Sequence, residues 1–575
     1  VHPIDWAVVA AYCVLATIIG VIFSRRASTS ISEFFIAGRN LPWWIAGTSI
    51  VATTFAADTP LVVSGLVRTK GIAGNWLWWN VLLGNMLATF FYARLWRRAH
   101  IITDIELIEL RYAGKPAAVL RGALALYRGV VLNCITIGWV TQAMVKISKE
   151  FLPFDKGTLI VVSFGLVLAY CVTSGYWGVV VTDFFQFIIG MGGCIVLAAI
   201  AVMNVGGITL LKEKLHAVPS FTEHTLAFVP QIGAGKLALF TFAVYIAVQW
   251  WATQGEGGGY IAQRLFSTKD ERESVLASLW FTFAHYALRP WPWILVGLVS
   301  MIMFVDLPDA ESAYPKMMMA VLPVGLRGLA VAGMLAAFMS TMDTHLNWGA
   351  SYVVNDLYRR FMVKDASERH YVLISRIASV VIAIVGGAVA YFTESIVNAW
   401  TFMFTLTCGV GLVLLLRWYW WRINAWSEIS ALITSTVVAT ILQLSKELGA
   451  PELFAVRLVI TLSISTIVWV TVTFVTSPVP EEHLKNFYSR VRPGRALWKP
   501  IADRLPHVHG ENRGLTDLGC WLGGVISVYS AMFGIGKLVL GEHDKGIAFL
   551  IVSGITMALI LRVILRSESS EQSSS

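Results

Sequence analysis

LPWWIAGTSIVATTFAADTPLVVSG, residues 41–65, is long and apolar enough to cross a bilayer, yet its middle carries Thr53, Thr54, Asp58, Thr59 and Pro60. A carboxylate at that depth costs roughly 2.5 to 3.5 kcal/mol on insertion scales, and the proline removes a backbone donor from the helical ladder. The segment therefore reads as a broken helix. Carbonyls released at the break, beside hydroxyls and a carboxylate and away from bulk water, are what a dehydrated small cation or a polar solute needs.

Composition supports a membrane setting. Hydrophobic residues make up 57% of the 575 and charged residues 14%, with a mean hydropathy of +0.68, which is too apolar for a soluble multidomain chain. The formal net charge of +9 does not mark a nucleic-acid partner, because the basic residues fall in short runs between hydrophobic segments and not on one polar face. All six cysteines (Cys13, Cys134, Cys171, Cys194, Cys408, Cys520) lie inside apolar stretches without a CxxC pair, so buried thiols are expected, with no disulfide framework or zinc site. The stretch from Asp5 to Ser24 is too long and too weakly charged in front for a cleaved signal peptide; with Arg25 and Arg26 behind it, it reads as the first span.

A window near 20 residues predicts about fifteen spans, at roughly 5–24, 41–66, 74–98, 117–148, 157–173, 177–204, 236–262, 274–304, 324–358, 371–393, 396–418, 424–446, 453–476, 518–539 and 545–566. Loop charge orients them. With the N-terminus outside, the inner loops hold Arg25, Arg26 and Arg39; Arg97, Arg98, Arg111 and Lys115; Arg264, Lys269 and Arg272; Arg359, Arg360, Lys364 and Arg369; Arg417 and Arg422; and the basic run from Pro480 to Arg513. This gives a multi-pass cell-membrane protein, N-terminus outside, with the polar tail Ser567–Ser575 in the cytoplasm. Residues 205–235 and Asp306–Pro323 read as outer stretches, either lids or plain connectors.

Several polar residues lie inside predicted spans. In AAFMSTMDTHLN, residues 336–347, Ser340, Asp343 and Thr344 share a helical face with Thr341 beside them, an oxygen-rich set that suits a hard cation. The alternative is that the hydroxyls bond back to carbonyls one turn earlier. TDFFQ places Asp183 between apolar runs, and an intramembrane aspartate needs a partner from another helix. Arg128 either binds a substrate carboxylate or neutralises Asp183 or Glu256. In WWATQGEGGGYIAQR, Gly255 and Gly257 to Gly259 surround Glu256, either a second break or an inner-end kink with Glu256 solvated. It is not a phosphate loop, since the GxxxxGK[ST] spacing is absent.

These motifs together resemble the sodium:solute symporter family, whose members include sodium-coupled galactose, proline and sialic acid transporters. The resemblance rests on ISEFFIAGRNLPWW and the polar break after it, on TDxxQ at Asp183, on YIAQR, and on AAFMSTMDTHLN followed by NDLYRRF. It implies an all-α leucine-transporter fold with two inverted five-helix repeats. The organisation expected is an N-terminal helix and loop at 1–36, repeats at 37–205 and 206–420, peripheral helices at 421–478, a basic cytoplasmic loop at 479–514, and two further helices with the tail at 515–575. Carried over by position, a first sodium takes Ala52, Phe55, Ala337, Ser340 and Thr341. A possible second takes Asp183, Asp343 and Thr344, sharing Ser340; Asp343 stands where a hydroxyl is expected, so it either strengthens that site or holds a proton in place of the ion.

The resemblance also places a solute between the two breaks and the third span, near Thr54, Asp58, Thr59, Trp76, Trp79, Asn80, Arg128, Gln249, Trp250 and Gln254. The tryptophans either stack on a sugar ring or pack the core. The expected function is sodium-coupled symport of a sugar, sugar acid or amino acid by alternating access, with Na+ as the coupling ion and the bilayer as setting. The alternatives are a proton-coupled transporter of the same fold and a solute sensor that no longer transports. An enzyme is disfavoured, because no recognised nucleophile and base accompany the intramembrane acids.

Overall fold

The computed structural model describes residues 2–27, 36–231, 233, 235–508, 510–511 and 513–572. The first part of the ISEFFIAGRN motif, residues 31–35, lies outside them. Among the described residues ten helices are long and apolar enough to cross a membrane, or eleven if the bent pair Trp43–Thr54 and Asp58–Lys70 is one span.

The other four of the fifteen expected spans lie in shorter or interrupted helices. The first is the apolar part Pro3–Ile19 of helix Pro3–Ala27. The third, 74–98, is assembled from short pieces, among them Val81–Leu87, a π-helical Ala88–Tyr92 and Ala93–Arg98. The turn expected between 173 and 177 is replaced by helical backbone, because Lys156–Asn204 is one helix of 49 residues. No proline interrupts it. Its two apolar parts, Lys156–Leu168 and Gly178–Asn204, remain distinct.

Both expected breaks are present. The first helix ends at Thr54, where Phe55 leaves helical dihedrals (φ −87°, ψ 68°), and the chain turns by 57° into Asp58–Lys70. Pro60 lies in the first turn of that second piece, where a backbone N–H has no intrahelical partner in any case, and Asp58 complements the positive end of the helix. The proline thus starts a helix and does not interrupt one. At the second break, Trp250–Gln254 is separated from Tyr260–Phe266. Gly257 and Gly259 there have φ of 69° and 71°, a left-handed backbone that glycine adopts without steric cost.

Burial ranks the helices. The apolar window of Leu326–Met362 is 94% buried and that of His543–Arg566 only 17%, so the first is the central post and the second faces lipid. The helix Gly514–Val539 braces the third span: Trp521 donates its indole N–H to the Leu83 carbonyl at 3.0 Å and the Tyr529 hydroxyl donates to that of Trp79 at 3.0 Å. The basic run that begins at Pro480 packs onto one end of the bundle. Its Trp498 donates to the Trp418 carbonyl at 2.8 Å, and Arg111 stacks on Phe487 and Trp498.

The first break has little room beside it. A Cβ on Gly190 would stand 2.4 Å from the Phe55 ring, whereas one on Gly192 meets nothing within 4 Å. Gly190→Ala should lower stability by about 1–3 kcal/mol through overpacking, with Gly192→Ala unchanged, read as melting temperatures in detergent; equal temperatures for the two variants would remove Phe55 from its place in the core.

Candidate cation and solute site

The broken helix Trp43–Thr54 lies against the central helix Leu326–Ser351 through hydroxyls and carbonyls. Thr341 donates its hydroxyl to the carbonyls of Thr53, at 2.9 Å, and Ala337, at 3.1 Å. The Thr53 and Thr344 hydroxyls are 3.0 Å apart. Ser49 and Ser340 each donate to the Asp183 carboxylate at 2.5 Å. Ala337, Ser340, Thr341, Thr344 and Asp183 thus come together around the break, with Ala52 and Phe55 flanking Thr53 along the chain. Asp343 is buried on the same helix.

A cation of the protein's own stands in this cluster. Arg264, in the helix that follows the second break, donates to Thr344 Oγ1 at 2.7 Å and Ser49 Oγ at 3.2 Å, and lies 3.7 Å from Asp183. The partner that Asp183 requires is therefore Arg264, and Arg128 is not it. Both breaks meet at the central helix through this guanidinium. Among the described residues no group of three or more His, Cys, Asp or Glu forms a metal cluster; the donors gathered here are mainly hydroxyl and carbonyl oxygens, which hard cations take.

A second guanidinium caps the break. Arg289 donates to the Thr54 carbonyl at 2.7 Å, to Thr54 Oγ1 at 2.9 Å and to the Val51 carbonyl at 3.2 Å. These are last-turn groups of the first half-helix, where a cation balances both the orphan carbonyls and the negative end of the helix. His285 Nδ1 lies 2.6 Å from Arg289 and 3.0 Å from the Thr54 hydroxyl.

Below the break lies a cavity of about 330 Å³, on whose walls are Thr54, Asp58, Thr59 and Arg128 together with Trp78, Trp139, Trp348 and Trp400. Asp58 is 2% exposed. One of its oxygens accepts the Trp400 indole N–H at 2.9 Å, and the other has no partner among the described residues. Trp76, Trp79, Asn80, Gln249 and Trp250 are not on these walls. Asn80 donates to the Trp76 and Leu77 carbonyls and Gln249 to that of Leu77, while Trp250 stacks on Trp521 and Trp76 packs on Phe242 and Tyr529. The third span is rotated so that Trp78, Val81 and Asn85 face the cavity. The side chain of Gln254 lies outside the described residues.

At the other end of the cavity Arg128 pairs with Asp104 at 3.2 Å, not with Asp183 or Glu256. Asp104 also accepts the Gly259 N–H at 3.0 Å and the Tyr352 hydroxyl, tying the second break to the central helix. Glu256 is not solvated. It is held by Arg417 at 2.8 Å and by the Trp418 indole at 2.9 Å, while Glu428 accepts from Arg417 at 3.4 Å and from Tyr112 at 2.6 Å. Arg128, His285 and Tyr352 all sit in π-helical turns, whose extra residue re-aims the side chains beside it.

The model of the sodium:solute symporter family matches residues 34–435. The chain is 26% identical over 435 residues to a sodium/mannose cotransporter of Bos taurus, covering 68% of each protein. It is 24% identical over 550 residues to sodium/glucose cotransporter 1 of Oryctolagus cuniculus, covering 84% of this chain and 80% of that one. A solved substrate-bound, outward-open Na+-coupled sialic acid symporter shares the fold with a TM-score of 0.67 at 22% identity, over 83% of this chain and 99% of that one. The two breaks packed on one central helix are accordingly those of a leucine-transporter fold, and the chain belongs to the sodium:solute symporter family.

Proposed function

We propose that this multi-pass membrane protein is a secondary active transporter, in which sodium entering the cell drives uptake of a small polar organic solute by alternating access. The observation that carries the proposal is the Thr341 hydroxyl, which reaches from the central helix to the Thr53 carbonyl at the end of the first half-helix. A sodium ion held by the carbonyls of Ala52, Phe55 and Ala337 and the hydroxyls of Ser340 and Thr341 would replace that one hydrogen bond by several ion–oxygen attractions. Binding would then favour the state in which break and post are joined, and the solute would meet a formed cavity at Thr54, Asp58, Thr59 and Arg128. One charge moving down 100 mV supplies about 2.3 kcal/mol.

A second cation position is proposed at Asp183, Asp343 and Thr344, sharing Ser340. Arg264 lies on Asp183 and Thr344, so an ion there shares its ligands with a like charge and is the weaker of the two. With Arg111, Arg264 and Arg417 set aside as buried, the remaining loop charges support an outside N-terminus and a cytoplasmic C-terminus; inverted repeats at 37–205 and 206–420 are what the family resemblance implies.

Sodium should raise the melting temperature of the purified protein over equimolar potassium. Replacing Ser340 and Thr341 together by alanine should raise the sodium concentration for half of that effect by about tenfold or more, as expected when a polar ligand worth about 1.4 kcal/mol is lost; an unchanged sodium response removes the site. In reconstituted vesicles Asp343→Ala should lower the number of charges moved per solute, and an unaltered ratio rules out the second position. Accumulation at full rate without sodium under a proton gradient would transfer the coupling to protons.

A further inference from the structure

We infer that the transported solute carries an ammonium group and that Asp58 receives it, a conclusion that deepens the proposed symport and rests on the cavity being its solute site. The other acids, the histidines and the arginine on the cavity walls each have a partner. Arg128 is held by Asp104, Glu256 and Glu428 by Arg417, His285 by Arg289, and His345 by Asn133. Asp58 alone among them, 2% exposed, keeps a carboxylate oxygen with no partner among the described residues.

An ionised Asp58 has no contact ion pair in the fold. Two charged side chains act on it at longer range, with opposite signs: Arg289, and Glu311 in the stretch Asp306–Pro323. Arg289 directs its donors at the oxygens of Thr54 and Val51 and at His285, and Glu311 is bound to Lys146 and to the backbone N–H groups of Ile396 and Val397. A hydroxyl of a neutral sugar would satisfy the free oxygen as a donor but bring no charge to balance an ionised carboxylate. An ammonium does both, and a charge-assisted hydrogen bond is about twice as strong as a neutral one. The aromatic surface around it favours the same choice. Trp400 holds the second oxygen, and Trp78, Tyr260 and Tyr286 are among the aromatic side chains on the walls, a residue type that attracts cations. Whether the solute also carries a carboxylate is set at the far end of the cavity, where Arg128 is paired on one nitrogen with Asp104.

The test is a thermal-shift comparison on the purified, unaltered protein in sodium and in potassium, with three pools: amines (ethanolamine, putrescine and the twenty amino acids), neutral sugars and polyols (galactose, mannose and myo-inositol), and carboxylates without nitrogen (gluconate and lactate). Stabilisation by the amine pool is expected, with ethanolamine and putrescine separating a bare amine from an amino acid. For the member that responds, Asp58→Asn should raise the half-effective concentration about ten- to a hundredfold, and Asp58→Glu should recover part of it. A sodium-dependent response to the neutral or carboxylate pool alone overturns the ammonium inference and leaves symport standing. An amine response that is equal in potassium supports Asp58 and removes sodium coupling. No response to the amine pool overturns the inference whether or not the Asp58 variants fold.

Discussion

Hydrogen bonds join the broken helix to the central helix, and one of them replaces a lost helical partner. The Thr53 carbonyl loses its helical partner because the chain breaks at Phe55, and it finds a replacement in the Thr341 hydroxyl of the central helix. In a medium without water an orphan carbonyl costs several kcal/mol, so the break is tolerated only where another element supplies donors. Thr341 is one such donor and Arg289, on the Thr54 carbonyl, is another. Everything near the break follows from that requirement: a buried polar helix beside it, a cation at its end and small residues where its aromatic side chain must pass.

Charges inside the core obey the same rule. Asp183 with Arg264, and Glu256 and Glu428 with Arg417, are buried and paired, and the buried Asp104 pairs with the half-buried Arg128, each across different helices. Removing one member would leave its partner uncompensated, which costs more than the pair contributes. These pairs therefore work as fixed registration points between helices, and the second break is tied into two of them through Gly259 and Glu256. Asp58 departs from this pattern, with one oxygen left open toward the cavity.

Much of this layout is legible in hydropathy and spacing. The apolar windows locate the spans, the polar run in residues 41–65 locates the first break, and the glycines around Glu256 locate the second. Ser340 and Thr341 are recognisable as a hydroxyl pair on a helix that otherwise reads as apolar, because the helical repeat alone puts Ser340 and Thr344 on one face. These are properties of a single element, determined by side-chain chemistry along a few consecutive turns.

Partnerships between elements depend on how each helix is rotated and how deeply it sits, and neither quantity is encoded locally. The sequence offers Asp183 and Glu256 as acids for Arg128, and packing selects a third, Asp104, 24 residues away and outside any predicted span. The third span contains Trp76, Trp78 and Trp79, and only its rotation against the helix Gly514–Val539 turns Trp78 to the cavity and the others away. Arg264 and Arg289 read in sequence as one loop cation and one unremarked arginine, yet both lie in the core, 1% exposed or less. A buried charge is placed by the sum of oxygens that converge on it, and for Arg289 those oxygens lie up to 238 residues away in sequence. Only the folded chain brings them together.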